Sequence, residues 1–386
     1  MPDQISLTFL GTAAGKPSLA RNVSSLALKM DDVGEATQHQ FINPNCKLRM
    51  SQISNIFITH LHADHILGLP GLLCTISAND SDAGLGAQTA TNIYGPKGLR
   101  NFLRVVLSTT GSELGRPYAV NELLFPGESP SEVTSWPREL NELEGRDIAC
   151  DSQGFWQDFY ISNGVTVSAG PILHRVPCIG YVFTEDPRPN PINPTVYLPH
   201  LTRPINKEAL AKLGFSPPQK YLAVIKASQE HLTLEDGTIL TPPGHAERGR
   251  KIVVLGDTYD PSGITPLAMD CDLLVHESTM AYTPEFDESQ RQITQLSVRE
   301  RSIFKGHSTP EMAGTFAKSI QARGLALNHL SVKYPTVPPE QEGEDERIKN
   351  TRGALAEIQR LASEAWGGGT ATIAHDFLTL DIPAYK

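Results

Sequence analysis

The sequence predicts a layered α/β protein, on three observations. Apolar runs of strand length alternate with amphipathic stretches of helical period, ligand-type polar residues recur directly after those runs, and 386 residues at 39% hydrophobic composition can bury a large core. The runs are Ile56-Phe57-Ile58 before Thr59 and His60, Ile252-Val253-Val254-Leu255 before Gly256 and Asp257, Leu273-Leu274-Val275 before His276, and Leu325-Ala326-Leu327 before Asn328 and His329. Unbroken apolar runs of this kind suit strands covered on both faces, and binding sites are built at the ends of such strands. The helical stretches include 310–323, where Met312, Phe316 and Ile320 share a face, and 352–366, where Leu355, Ile358 and Leu361 do. Thr309 is expected to cap the first of these, with Pro310 at its first position, which puts His307 just ahead of a helix N-terminus.

Composition narrows the class. A formal net charge of −10 argues against broad, non-specific nucleic-acid binding, which draws its affinity from lysine and arginine. The five cysteines (46, 74, 150, 178 and 271) are odd in number and widely spaced, as expected in a reducing compartment, the cytoplasm with or without the nucleus. No apolar run approaches the roughly 18–20 residues of a membrane span, and residues 5–10 enter a strand pattern where a leader would differ, so no membrane association is expected.

The chain reads as one domain, 1–386, with a stretch of different character inserted at 185–250. That stretch opens on Pro187, Pro189 and Pro191 and carries Pro217-Pro218 and Pro242-Pro243-Gly244, so its regular elements must be short; a projecting arm is the expectation. A second polar stretch, 127–154, reads as a surface loop.

The densest chemical signal is His60-Leu61-His62-Ala63-Asp64-His65, four ligand-type side chains in six residues after an apolar run. Imidazole and carboxylate suit Zn²⁺ or a similar divalent ion, and a tight turn can aim alternate residues at two metal positions, His60 with His62 at one and Asp64 with His65 at the other. Two metals need further ligands. His174, Asp257 and His329, each closing an apolar run, complete the set. His276 also ends a strand, but a histidine there serves as well to satisfy backbone groups, and it is not taken as a ligand.

The motif Thr59-His60-Leu61-His62-Ala63-Asp64-His65 is the signature of the metallo-β-lactamase superfamily. Its continuation Leu69-Pro70-Gly71-Leu72-Leu73-Cys74-Thr75-Ile76 resembles ribonuclease Z, the transfer-RNA 3′-processing endonuclease. Phe9-Leu10-Gly11-Thr12, Asp32-Val33-Gly34-Glu35-Ala36-Thr37-Gln38, Ile93-Tyr94-Gly95-Pro96, Gly256-Asp257-Thr258, His276-Glu277-Ser278-Thr279, Gly306-His307-Ser308-Thr309 and Ala374-His375-Asp376-Phe377 match in the family's order over nearly the whole chain.

The resemblance implies a four-layer αββα sandwich with two Zn²⁺ per subunit, Mn²⁺ being an alternative. His60, His62 and His174 would hold one ion, Asp64, His65 and His329 the other, with Asp257 bridging and Asp64 also the proton acceptor. The implied reaction removes the 3′ trailer from precursor tRNA by attack of metal-activated hydroxide, leaving a 3′-hydroxyl on the tRNA and a 5′-phosphate on the trailer. His307 and Glu277 are the family-matched proton donors to the leaving oxygen. The loop 15–22 matches one associated with choosing the cleavage position, so Lys16 and Arg21 are candidate substrate contacts, and 185–250 matches the exosite that grips tRNA, often across a homodimer.

Three positions depart from the family. Leu19 stands where the longer-chain pattern has lysine, Pro217-Pro218-Gln219-Lys220-Tyr221 lacks the arm's usual Gly-Pro pair, and the segment between Arg21 and Asp32 is about half a dozen residues short, a strand's worth. A missing strand would leave its neighbours without ladder partners. The alternatives are a hydrolase of small phosphodiesters or sulfate esters using the same metal pair, and a non-catalytic RNA-binding paralogue.

Overall fold

The computed structural model describes residues 5–29, 33–34, 38–82, 90–130, 138–228, 230–244, 246, 248–341 and 343–384. The chain divides into two compact units, one built from 1–184 and 251–383 and the other from Glu185–Arg250.

The larger unit is organised by a seven-stranded sheet in the order Thr372–Ile373, Leu325–Asn328, Leu273–Glu277, Lys251–Leu255, Cys178–Glu185, Val165–Ile172, Trp156–Ser162. Its first four strands are parallel neighbours. Alternate residues divide between its faces. Val253, Leu255 and Leu274 face the helices Pro310–Ser319 and Glu346–Trp366 through Phe316, Ala317, Ile358 and Ala362. Ile252, Val254 and Val275 face instead a second core shared with Leu7, Phe9, Phe57, Tyr94 and Leu123. Those residues belong to two four-stranded sheets, Thr379–Ile382, Ile5–Gly11, Ser25–Lys29, Val33–Gly34 and Asn55–Phe57, Thr91–Pro96, Tyr118–Leu124, Asp147–Ala149. Their outer face packs Leu10, Ile56, Ile93 and Val120 on the helices Gly68–Asp82 and Leu99–Thr110. Three cores thus separate four layers in the expected αββα order, each strand's period of two feeding one core on each side.

Local expectations hold with adjustments. The helix at 310 ends at Ser319, and Thr309 occupies its N-cap position with extended backbone but no side-chain cap bond. The last helix starts six residues earlier than its apolar stripe, at Glu346, where the Asp345 carboxylate accepts from the Arg347 amide. The stretch 127–154 is more than a surface loop: Asp147–Ala149 adds a strand to the sheet, and Glu142 is buried with both carboxylate oxygens on Arg104. That strand is three residues long, with Asp147 and Ala149 exposed and only Ile148 turned to the core, too short to show a period in the sequence.

The shortened hairpin forms a two-residue second strand, with Ala27 opposite Gly34 and Leu28 opposite Val33. It lies at the end of its sheet, next to Asn55–Phe57 but with no ladder to it among the described residues, and the layer is divided there into two sheets. Asp32 and residues 35–37 of the matched motif lie outside the described residues.

Unit Glu185–Arg250 has its own core of Tyr197, Leu201, Leu210, Ile225, Leu234 and Leu240 under the short helices Pro194–Leu201, Pro204–Lys212 and Tyr221–Ala227. Its two ends are tied by a buried bidentate ion pair, Arg250 Nε and Nη2 each donating to a Glu185 oxygen at 2.7 Å, with Arg188 on the same carboxylate. Among the described residues no helix is long and apolar enough to cross a membrane.

Candidate metal centre

Every ligand-type residue singled out in the sequence, although they are spread over 270 positions, arrives at the same strand-end edge of the larger unit. His60, His62, Asp64 and His65 follow the strand Asn55–Phe57; His174 follows Val165–Ile172, Asp257 follows Lys251–Leu255, and His329 follows Leu325–Asn328. Ligand atoms of His60, His62, His174 and Asp257 lie within 4.8 Å of one another, as do those of Asp64, His65 and His329.

Asp257 connects the two groups. Its Oδ2 faces His60 Nε2 at 3.7 Å, while its Oδ1 faces His65 Nε2 at 3.5 Å and His329 Nε2 at 3.3 Å. Asp64 Oδ2 stands 3.5 Å from the Nε2 atoms of both His65 and His329. In the first group His62 Nδ1 is 3.1 Å from both His60 Nε2 and His174 Nε2. Two nitrogens bound to one tetrahedral zinc at ~2.0–2.1 Å stand about 3.3 Å apart, so these spacings suit ligands sharing an ion.

Second partners aim the rings. His174 Nδ1–H donates to the Gly306 carbonyl at 2.7 Å, which turns its Nε2 lone pair inward. The Thr279 hydroxyl donates to Glu277 Oε2 at 2.5 Å and accepts Nδ1–H of His329 at 2.9 Å. That leaves buried His329 Nε2, without a hydrogen-bond partner, directed at two carboxylates, a position a cation would satisfy.

Ionisation agrees. Burial, helped by the neighbouring His65, pushes His60 down to about 2. Burial likewise lowers His62 and His174. For Asp257 and Asp64 burial acts to raise the carboxyl, but the surrounding imidazoles outweigh it and both sit well below the usual carboxylate range. Imidazoles of His60, His62 and His174 that favour the neutral form, beside a carboxylate of Asp257 that favours the ionised one, match the protonation state that metal binding requires.

His307 and Glu277 form a pair at the edge of the cluster. Glu277 is buried; its Oε1 accepts from His307 Nδ1 at 3.0 Å and from the Thr258 amide at 2.8 Å. Burial acts to lower the His307 imidazole, yet the bond to Glu277 and the charges of Glu277 and Asp257 prevail and raise it. His307 Nδ1 is 3.8 Å from Asp257 Oδ2, beside the ligands. His276 is buried, with Nδ1 on the Glu277 carbonyl, and takes no part in the ligand groups.

The two loop cations part company. Lys16 is exposed and lines a cavity of about 870 Å³ together with Arg301, Lys305 and Lys333, the last paired with Asp287 at 3.2 Å; His307 and His329 also line it, and among the described residues no acidic one does. Arg21, expected to contact substrate, is only 2% exposed and is corrected to a structural group. Its Nε donates to the Tyr334 carbonyl at 2.9 Å and its Nη1 to Thr12 Oγ1 at 2.7 Å and the Ala374 carbonyl at 2.6 Å. Sequence reading missed Thr279, the Gly306 carbonyl and the Gly15 amide, which donates to Asp64 Oδ2 at 2.9 Å. The matched motifs containing Thr279 and Gly306 were the available signal.

No protein-family model matches the chain. It is 33% identical to zinc phosphodiesterase ELAC protein 1 of Bos taurus, covering 99% of each chain, and 31% identical to ribonuclease Z of Bacillus subtilis (strain 168), covering 98% of this chain and 99% of the relative. The crystal structure of human tRNase Z, short form (ELAC1), superposes with a TM-score of 0.58 at 27% identity, over 98% of this chain and 99% of that one. With its layers, its strand-end cluster and these full-length likenesses, the chain belongs to the ribonuclease Z family.

Proposed function

We propose that this chain is a zinc-dependent endoribonuclease that removes the 3′ trailer from precursor tRNA. The observation that carries the reading is Asp257, one buried carboxylate whose two oxygens face two separate ligand groups, with the His307–Glu277 pair alongside. His60, His62 and His174 would hold one zinc, Asp64, His65 and His329 the second, and Asp257 would bridge; Mn²⁺ suits the same donors. Zinc bound there supplies Lewis acidity, acidifying water and offsetting phosphoryl charge.

The chain's own residues account for the rest. The scissile bond joins phosphorus to the 3′-oxygen of the last tRNA nucleotide. As the water oxygen bonds to phosphorus and that bond breaks, Asp64 accepts the water proton and His307 gives its proton to the departing 3′-oxygen. The products are a 3′-hydroxyl tRNA and a 5′-phosphate trailer. Glu277, hydrogen-bonded to His307, favours the protonated form of that imidazole. Lys16, Arg301, Lys305 and Lys333 give an acidic protein a locally cationic wall for phosphates. Unit Glu185–Arg250, with exposed Lys207, Lys212, Lys220 and Lys226, serves as the arm that grips tRNA, and a homodimer would let one subunit grip while the other cuts. The site of action is the cytoplasm, with or without the nucleus.

The test is cleavage of a 3′-extended precursor tRNA by metal-loaded protein, with end-mapping of the product. Hydrolysis of a small chromogenic diester alone, with the RNA untouched, would replace this reading with the small-diester hydrolase.

A further inference from the structure

Arg21 is one of the largest fully buried side chains of the molecule, and it sits in a loop whose other residues, Gly15 to Leu19, are exposed. A buried guanidinium is costly unless its donors are met, and here two bonds run to distant segments, the Tyr334 and Ala374 carbonyls, and one to the Thr12 hydroxyl just before the loop. That hydroxyl in turn donates to Asp376 Oδ1 at 2.7 Å. Asp376 Oδ2 accepts from the Asn22 amide at 2.7 Å and from Gln40 Nε2 at 2.9 Å. Burial lowers Arg21 to about 10 against the opposing charge of Asp376, and burial raises Asp376, as befits two groups held in the interior together.

The loop is thereby fixed at both ends. At its start, Leu330 donates to the Thr12 carbonyl and Ala14 to the Leu330 carbonyl, both at 2.9 Å, beside His329. At its end, the Ser18 amide closes on the Arg21 carbonyl at 2.8 Å. Between these anchors Gly15, at φ +73°, turns its amide onto Asp64 Oδ2, and Lys16 enters the cationic cavity.

We infer that Arg21 and Asp376, joined through Thr12, are positioning residues: they hold the loop 14–22 against the metal cluster and so fix where the Gly15 amide meets Asp64 and where Lys16 meets RNA. The strut acts from beneath the site without touching substrate. The part concerning RNA rests on the proposed nuclease activity; the part concerning the loop does not. Lysine cannot replace Arg21 fully, because one ammonium cannot reproduce the planar fork that reaches three acceptors.

The experiment compares metal-loaded full-length parent, Arg21→Ala, Arg21→Lys and Asp376→Asn by amide hydrogen exchange over 12–22 and by end-mapping of cleaved precursor tRNA. Arg21→Ala is expected to raise exchange in that segment by at least about tenfold, to lower kcat by up to about a hundredfold through misplacement, and to spread cleavage over neighbouring nucleotides. Arg21→Lys should recover part of each. Should Arg21→Ala fail to fold, Arg21→Lys and Asp376→Asn, which keep size and some hydrogen bonding, carry the same test with smaller shifts. A loss of thermal stability with parental exchange at 12–22 and a parental cleavage position would overturn the inference. If the parent leaves precursor tRNA intact, the exchange data still decide the strut, and it is the substrate reading that falls.

Discussion

Glu277→Gln exchanges one buried carboxylate for an amide of the same shape. The carbonyl oxygen can stay on the Thr258 amide and on His307 Nδ1, where Glu277 Oε1 now accepts at 2.8 and 3.0 Å, and the amide nitrogen can donate to Thr279 Oγ1 in place of the 2.5 Å bond running the other way. Packing is therefore kept, and the loss is the negative charge that raises His307. General acids contribute roughly 10²–10⁴ to such reactions, and a neutral imidazole gives up that share, so kcat/KM on precursor tRNA should fall by about a hundredfold at neutral pH. The sign of the pH effect follows. His307 must be protonated to act, the raised imidazole stays protonated to higher pH, and removing its carboxylate partner moves the alkaline limb of the rate profile to lower pH. A p-nitrophenyl diester, whose leaving group departs without a proton, should be hydrolysed by the variant within about threefold of the parent. Equal losses on both substrates, or an RNA profile with an unmoved alkaline limb, would refute the role given to His307 and Glu277.

Three further outcomes are expected. Replacing 191–243 by a short linker is geometrically mild, because the Asn190 amide already bonds the Gly244 carbonyl at 2.9 Å; it should lower kcat/KM on precursor tRNA by on the order of a hundredfold at moderate salt while sparing the small diester. Gly306→Ala forces a side chain at φ +84° whose Cβ would lie 2.6 Å from His174 Nδ1, and atomic absorption should find about one zinc lost per chain. Arg250→Met should destabilise the protein by about 1.5–3 kcal/mol in chemical denaturation, since it removes the bidentate partner of buried Glu185 and leaves Arg188 alone on that carboxylate. Burial alone would raise Glu185, but Arg250 and Arg188 hold it below the usual range. The stabilisation is therefore present above the unfolded value of about 4.3 and lost as pH falls through the lower folded one, so parent and Arg250→Met should converge in acid.

The residues of the His/Asp cluster were legible as candidates because their signal is local: four candidate side chains in six residues, and three more each closing an apolar run. The same logic exposed a layered α/β core, since strands such as Ile252–Leu255 are apolar on both faces and must be covered twice, whereas the αββα order followed only from the family resemblance. Proline and composition mark the stretch 185–250, and Glu185 and Arg250 pair with each other at its two ends. Arg21 was misread because its partners Tyr334 and Ala374 lie 313 and 353 residues away, and nothing near it in sequence distinguishes an exposed cation from a buried strut. Thr279 escaped for a similar reason: a hydroxyl that links Glu277 to His329 has no pattern of its own until the two strands carrying them lie side by side.

The most direct test of the central claim is end-mapping after incubating zinc-loaded protein with a 3′-extended precursor tRNA, beside His65→Ala and metal-stripped controls. A 3′-hydroxyl product ending at the last tRNA nucleotide is expected, absent in both controls and restored to the stripped protein by zinc. An uncleaved precursor with folded parent protein carrying two bound ions would contradict it.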